Sequence, residues 1–285
     1  MTLLTLENTA IVADSTCDPP KGFFDRDGVA LVPLKVHFGD ETYRDLIDMS
    51  PLEFFARLRT SPVMPTTSQP TAAEFEACYG SLRERYEYVF SLHLSRHLSG
   101  TYEAAAGVAE TMTNVFVYDT RMVSSIIALI IERMRVRLER GVELDELRSF
   151  VGGCHERAGV VFQVATLEYL RRGGRIGRAS AMVGNILGIR PVLQVKDGYV
   201  DAYAKVRGEK RALATMVAYL EQRSGPDDDV YLCFFHADAA EALPPLRERL
   251  LAARPRARAL FESEVGAVVG THAGPGTFAF CMLVE

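Results

Sequence analysis

The chain has 285 residues, 48% apolar and 24% charged, a balance that excludes a disordered or fibrous protein. At this length roughly three quarters of the extended surface is buried on folding, and the usual domain size favours two domains over one. With 32 Lys and Arg against 37 Asp and Glu the net charge is −5, so no global field draws the chain to nucleic acid or to an anionic membrane.

The longest apolar run, Val123 to Ile131, is broken by Ser124 and Ser125 and falls far short of the roughly 20 residues that span a bilayer. The expectation is a protein outside the membrane, touching it at most transiently. Glu7 precedes any apolar run and no basic region with a cleavage site follows, which points to the cytoplasm. Cys17, Cys78, Cys154, Cys233 and Cys281 are scattered and never spaced as CxxC, so they read as reduced thiols rather than a disulfide framework or zinc site. No HExxH occurs, and neither metal nor cofactor is expected.

In chain order, strands are predicted at Ala10–Ala13, Ala30–Phe38, Tyr88–Leu94 and Val115–Tyr118, separated by helical stretches Ala72–Tyr86 and Tyr102–Met112. That alternation implies a parallel sheet covered by helices. Thr71 and Glu74 form a capping box that starts the first of those helices, so Thr66–Pro70 before it is expected to be loop. Two long helical patterns, Val123–Arg140 and Leu144–Arg157, then lead to a strand at Val160–Val164, and the domain boundary is placed near residue 158. Beyond it, Arg190–Lys196 and Tyr199–Tyr203 flank Asp197-Gly198, the pair suited to a two-residue type I′ turn, so antiparallel pairing is predicted there. Helices at Glu209–Arg223 and Ala239–Ala253 and strands at Val230–Phe235 and Thr277–Val284 complete a mixed α/β half.

Four polar segments lie beside predicted strand ends, where open parallel sheets bind ligands. Asp14-Ser15-Thr16 follows the first strand, although Asp14 and Ser15 in a turn also satisfy backbone donors. Thr66–Pro70 holds more hydroxyl and amide groups than N-capping needs. Ser95–Tyr102 puts Ser99 at a helix N-terminus, which favours an anion, while capping by Ser99 or Thr101 is the plainer role. Gly270–Thr277 reads as a loop of unusual backbone path with His272 in its middle.

Basic residues cluster at Arg171–Arg178 and Lys205–Arg211, ordinarily a solvated surface. Gly173, Gly174 and Gly177 do not fit GxGxxG and no Walker motif is present, so a nucleotide-binding enzyme is disfavoured. A hydrolytic set of Ser99, His272 and Asp14 is permitted by composition, but there is no GxSxG elbow.

ADST at 13–16, TTSQP at 66–70, LSGTY at 98–102, YLRRGGRIG at 169–177 and GTHAGPG at 270–276 together resemble the DegV family, in that family's order and spacing. The resemblance implies a two-domain α/β fold, an N-terminal parallel sheet flanked by helices (1–158) plus a C-terminal mixed α/β sandwich (159–285). It implies a non-catalytic carrier that encloses one long-chain fatty acid and presents the carboxylate to a separate ATP-dependent fatty acid kinase, keeping the acyl phosphate. By that resemblance Thr67, Ser99 and His272 bind the carboxylate, with Ser68, Gly100 and Arg175 beside them, and Arg207 docks the kinase. Arg96 and His97 depart from the family pattern, where small hydroxyl residues are frequent. The alternative reading is a serine-dependent acyl hydrolase using Ser99 and His272.

Overall fold

The computed structural model describes residues 3–182 and 189–285. Strands β1 (Leu3–Leu4), β2 (Thr9–Asp14), β3 (Val29–Val32), β4 (Lys35–Phe38) and β5 (Glu41–Arg44) precede helix α1 (Pro51–Thr60) and β6 (Thr66–Ser68). There follow α2 (Ala72–Arg83), β7 (Tyr88–His93), α3 (Thr101–Ala109), β8 (Val115–Asp119) and two long helices, α4 (Ile126–Arg140) and α5 (Leu144–Arg157), with β9 (Val142–Glu143) between them. The remainder runs β10 (Ala158–Gln163), α6 (Glu168–Arg172), β11 (Ile189–Lys196), β12 (Tyr199–Arg207), α7 (Glu209–Arg223) and β13 (Val230–Ala237), then α8 (Leu243–Ala253), β14 (Arg258–Glu264), α9 (Ala267–Ala273) and β15 (Thr277–Val284).

The order β3-β2-β7-β8 is parallel throughout, as the alternation predicts. The second large sheet, β12-β11-β10-β15-β13-β14, is antiparallel except for the β13·β14 pair. Asp197 and Gly198 close the β11–β12 hairpin with φ of 51° and 82°, the left-handed values a type I′ turn requires at both positions.

The two sheets face each other across α4. Its first six residues, Ile126 to Ile131, are all buried, which explains why this stretch is apolar all round rather than along one stripe. One core unites α4 with the inner faces of both sheets; Phe90 and Leu92 come from one side, Val160 and Cys233 from the other. The outer faces carry their own cores, α2 and α3 on the parallel sheet and α7 and α8 on the mixed one.

Several expectations are corrected. The predicted strand Ala30–Phe38 breaks at Pro33-Leu34: its first part joins the parallel sheet, its second forms β4 in a separate antiparallel sheet, β5-β4-β6. Proline has no N–H for a central ladder, and the Leu34 N–H goes instead to Ser15 Oγ at 3.1 Å. Thr66–Ser68, expected as loop, is strand β6, paired with β4. Helix α4 begins at Ile126 rather than Val123, because Ser124 has a left-handed φ of 71° and donates its N–H to Thr16 O. Residues 270–273, read as loop, form the last turn of α9, and the chain leaves the helix at Gly274 with φ 74°. Helix α1, which was not among the predicted elements, starts on a capping box at Ser50 and Glu53 with Pro51 in its first turn.

Candidate functional site

Where the three sheets approach one another they leave a cavity of about 270 Å³. Its walls are apolar. Val160 and Phe162 alternate inward from β10, Val195 and Val200 face it from the β11–β12 hairpin, and Phe235 comes from β13. Leu34, Leu94, Val123 and Val268 close the other side. At its rim Thr67, Ser68, Gln69, Ser99, Gly100, Arg175 and His272 are gathered from four separate stretches of chain.

Strand geometry decides what Thr67 and Ser68 do. Neighbours on a strand point to opposite faces, so the two hydroxyls find different histidines. Thr67 Oγ1 meets His272 Nε2 at 3.0 Å, whereas Ser68 Oγ meets His37 Nε2 at 2.8 Å, with Thr42 Oγ1 on the other ring nitrogen of His37 at 2.8 Å.

His272 rides on the last turn of α9. The first amides of that helix are held by two buried carboxylates: Gly266 N–H donates to Asp18 Oδ1 at 2.8 Å and Ala267 N–H to Asp45 Oδ1 at 2.7 Å. Negative charge belongs at a helix N-terminus, yet burial pushes both acids up, Asp45 to about 7 and Asp18 well above its usual range. The imidazole fits because residue 173 is glycine. A Cβ there would stand 2.1 Å from His272 Nδ1.

Burial, and secondarily the nearby Arg175, lowers the His272 pKa to about 4, so the ring is neutral near pH 7. Among the described residues its buried Nδ1 has no hydrogen-bond partner. An orphan acceptor costs less than an orphan donor, which assigns the proton to Nε2. His272 then donates to Thr67, and the Thr67 hydroxyl hydrogen is free to point into the cavity.

Ser99 and Gly100 arrive through the turn between β7 and α3. Gly100 is the N-cap of α3 and offers no side-chain cap, and a Cβ on it would sit 2.3 Å from Gln69 Oε1. Ser99 Oγ pairs with Thr101 Oγ1 at 2.8 Å. Arg175 departs from its basic cluster. Arg171 and Arg172 are exposed and bind Glu168, but Arg175 turns inward, donating to Leu98 O at 3.0 Å and Gly173 O at 2.8 Å. Among the described residues it has no carboxylate partner, which leaves a cation beside the cavity.

Thus Thr67, Ser68, Ser99, Gly100, Arg175 and His272 are brought to one cavity, and Arg207 is not: it is exposed at the end of β12. Arg96 does not reach the cavity either; it lies over the Tyr102 ring at 4.4 Å and beside Asp119. Sequence reasoning missed the apolar wall, while Gln69 stood within the candidate segment Thr66–Pro70. The inward alternation of Val160 and Phe162, and the Val195–Val200 pair directly opposed across the hairpin, carry that signal, but only the fold shows which face is hollow. Asp14 and Ser15 took the plainer role. Asp14 accepts from Thr16 and Leu94 N–H, each at 3.0 Å, and Thr16 lines the cavity.

Among the described residues no helix is long and apolar enough to cross a membrane, and no group of three or more His, Cys, Asp or Glu is arranged to hold a metal ion. The fold and site define an α/β protein with an apolar pocket and a hydrogen-bonding rim. A family profile described as "Uncharacterised protein, DegV family" matches residues 8–285, and the chain belongs to the DegV family. Protein DegV of Bacillus subtilis is 31% identical over 284 residues, covering 96% of this chain and 98% of that one. A solved structure described as fatty acid binding of a DegV family protein from Thermus thermophilus superposes with a TM-score of 0.92 at 35% identity, covering 98% of this chain and all of that one. DegV of Bacillus subtilis, described as a fatty acid binding protein, superposes at 0.87 with 28% identity, covering 98% of this chain and 100% of that one.

Proposed function

We propose that this chain is a fatty-acid carrier: it encloses one long-chain fatty acid and presents the carboxylate at the Thr67–His272 rim to a separate ATP-dependent kinase, retaining the acyl phosphate. The observation that carries the reading is the pairing of an apolar cavity with that rim. Relatives of similar fold and sequence that are described as fatty acid binding support it.

The physical division of labour is simple. About 14 methylenes at roughly 0.8 kcal/mol each give on the order of 11 kcal/mol gross, before the costs of ordering, so the tail supplies affinity. A carboxylate entering such a site needs donors. Thr67 and Ser99 supply hydroxyls, Arg175 supplies a charge, and neutral His272 fixes the direction of Thr67. The apolar wall would also keep water from a reactive acyl phosphate.

Within this reading residues 1–158 and 159–285 act as two lobes around the ligand, the protein works in the cytoplasm, and Arg207 docks the kinase from outside the pocket. The hydrolase alternative is disfavoured by geometry. His272 Nδ1 has no acid to orient it, its Nε2 is engaged by Thr67, and Ser99 Oγ is paired with Thr101.

Organic extraction of purified protein followed by mass spectrometry is expected to release about one equivalent of a long-chain fatty acid. Repeated lipid-free preparations that also refuse added fatty acid overturn the proposal.

A further inference from the structure

A pocket walled by three sheets needs a door, and the ladder hydrogen bonds show where the wall is weakest. Strand β10 extends over Ala158–Gln163, yet it pairs with β11 only from Val161 to Gln163, opposite Val192–Gln194. Past Gln194 the β11–β12 hairpin leaves the sheet and continues as a two-stranded tip. An irregularity in the β11·β12 register at Val192/Leu193 lies just inside the stretch still paired with β10. Such irregularities bend and twist a ribbon, and a two-stranded ribbon without sheet partners is only marginally stable by itself.

The tip lies over the cavity. Val195 and Val200, opposed across the hairpin, both line it. It touches down on the Ser95–Gly100 turn, whose Leu98, Ser99 and Gly100 line the cavity from the other side. The Tyr199 ring stacks on His97 with centroids 4.1 Å apart and planes 16° apart. Gly198 is pressed so closely that a Cβ on it would lie 2.5 Å from Ser95 Oγ. Among the described residues no backbone hydrogen bond joins the two segments. The other walls are secured differently, by continuous ladders, by the buried α4, and by the Asp18 and Asp45 bonds to α9.

We propose that the β11–β12 tip is the door of the cavity and that the His97–Tyr199 stack is its latch, opened for ligand exchange. This rests on the carrier reading above and adds a route and two gating residues to it. His97 is exposed and Tyr199 half-buried, so the latch parts at the surface without unfolding either sheet. Arg178, on the Gly177–Met182 turn that packs along β12, is a second anchor of the closed state, lying over Tyr199 at 4.8 Å and paired with Asp197 at 3.0 Å.

The geometry supplies its own staple. The Cβ position at Gly198 lies 3.6 Å from Ser95 Cβ, inside the roughly 3.5 to 4.5 Å range of disulfides. Full-length protein carrying Ser95→Cys and Gly198→Cys is loaded with radiolabelled oleate while reduced, oxidised, and chased with unlabelled oleate. Release is expected to slow by more than about tenfold when oxidised and to recover with reductant. A cysteine at the left-handed Gly198 is strained, so Tyr199→Ala and His97→Ala form an independent arm, expected to speed release about two- to tenfold. A staple confirmed by thiol titration with unchanged release overturns the latch, as do two folded alanine variants that release at the wild-type rate. Wild-type protein that takes up no oleate strikes the carrier reading instead, an outcome distinct from binding with indifferent exchange.

Discussion

Two of the histidine–hydroxyl networks among the described residues differ in a way that separates support from function. Behind the parallel sheet, Tyr79 donates to Ser91 at 2.8 Å, Ser91 meets His93 Nε2 at 2.7 Å, and His93 Nδ1 meets Asp14 Oδ2 at 3.0 Å. Ser91, His93 and Asp14 are fully buried and every ring nitrogen has a partner, so this network specifies the fold. At the cavity rim Thr67 and His272 share one bond, and Nδ1 of His272 is left unpartnered beside the inward-turned Arg175. A satisfied polar chain has nothing to offer a ligand, whereas an incomplete one does.

The largest test of that contrast is Asp14→Ala. It strands His93 and the Thr16 and Leu94 amides in the interior, and chemical denaturation is expected to show a loss of about 3 to 5 kcal/mol. A loss below 1 kcal/mol would make the network dispensable to the fold.

Acid titration comes next. His272 titrates near 6.5 when unfolded and near 4 when folded, so between those values the unfolded chain holds a proton the native one lacks. Stability from this group is complete above pH 6.5 and declines as pH falls toward 4, by about 3 kcal/mol. Asp45 works in the opposite sense. Raised from 3.8 to about 7, it weakens the fold as pH climbs through that interval. Across this shared interval the two slopes oppose each other in the wild type, so denaturation midpoints of His272→Gln are expected to show stability falling as pH rises and those of Asp45→Asn to show it rising. Parallel profiles in all three proteins would refute both assignments.

Smaller effects sharpen the contrast at the rim. Thr67→Ala is expected to cost about 1 kcal/mol of stability but roughly tenfold in fatty-acid affinity, measured by displacement of a fluorescent fatty acid. Equal affinities would remove Thr67 from the headgroup site. Arg207→Ala, remote from the cavity and exposed, is expected to leave both stability and lipid content unchanged and, on the proposed carrier function, to slow only phosphorylation by a separate kinase. Lost lipid content would place Arg207 in the pocket's upkeep instead.

Where local pattern and local structure agree, the sequence was legible. The Thr71–Glu74 capping box, the Asp197-Gly198 turn and the alternation of strands and helices from Ala72 through residue 119 all act over a few residues. Thr66–Ser68 and the Gly270–Ala273 turn were misread because their conformations come from distant partners. The short β6 is a strand only because β4 lies beside it, and α9 forms around glycines because Asp18 and Asp45 hold its first amides and Phe54 needs the space at Gly270. The polar rim was visible in the motifs; the apolar wall was not, since valines and leucines that line a hollow are written like those that fill a core.

The sequence by itself determined most of the helices and strands, because capping, turn chemistry and hydrophobic periodicity are short-range, and its ordered motifs carried the family resemblance and the polar groups available to a ligand. Only the tertiary structure decided that Thr67 and His272, 205 positions apart, share a hydrogen bond, that Arg175 turns inward, and that a cavity opens between the sheets. Those outcomes depend on how whole sheets meet across α4, and packing at that scale fixes distances that no run of neighbouring residues encodes.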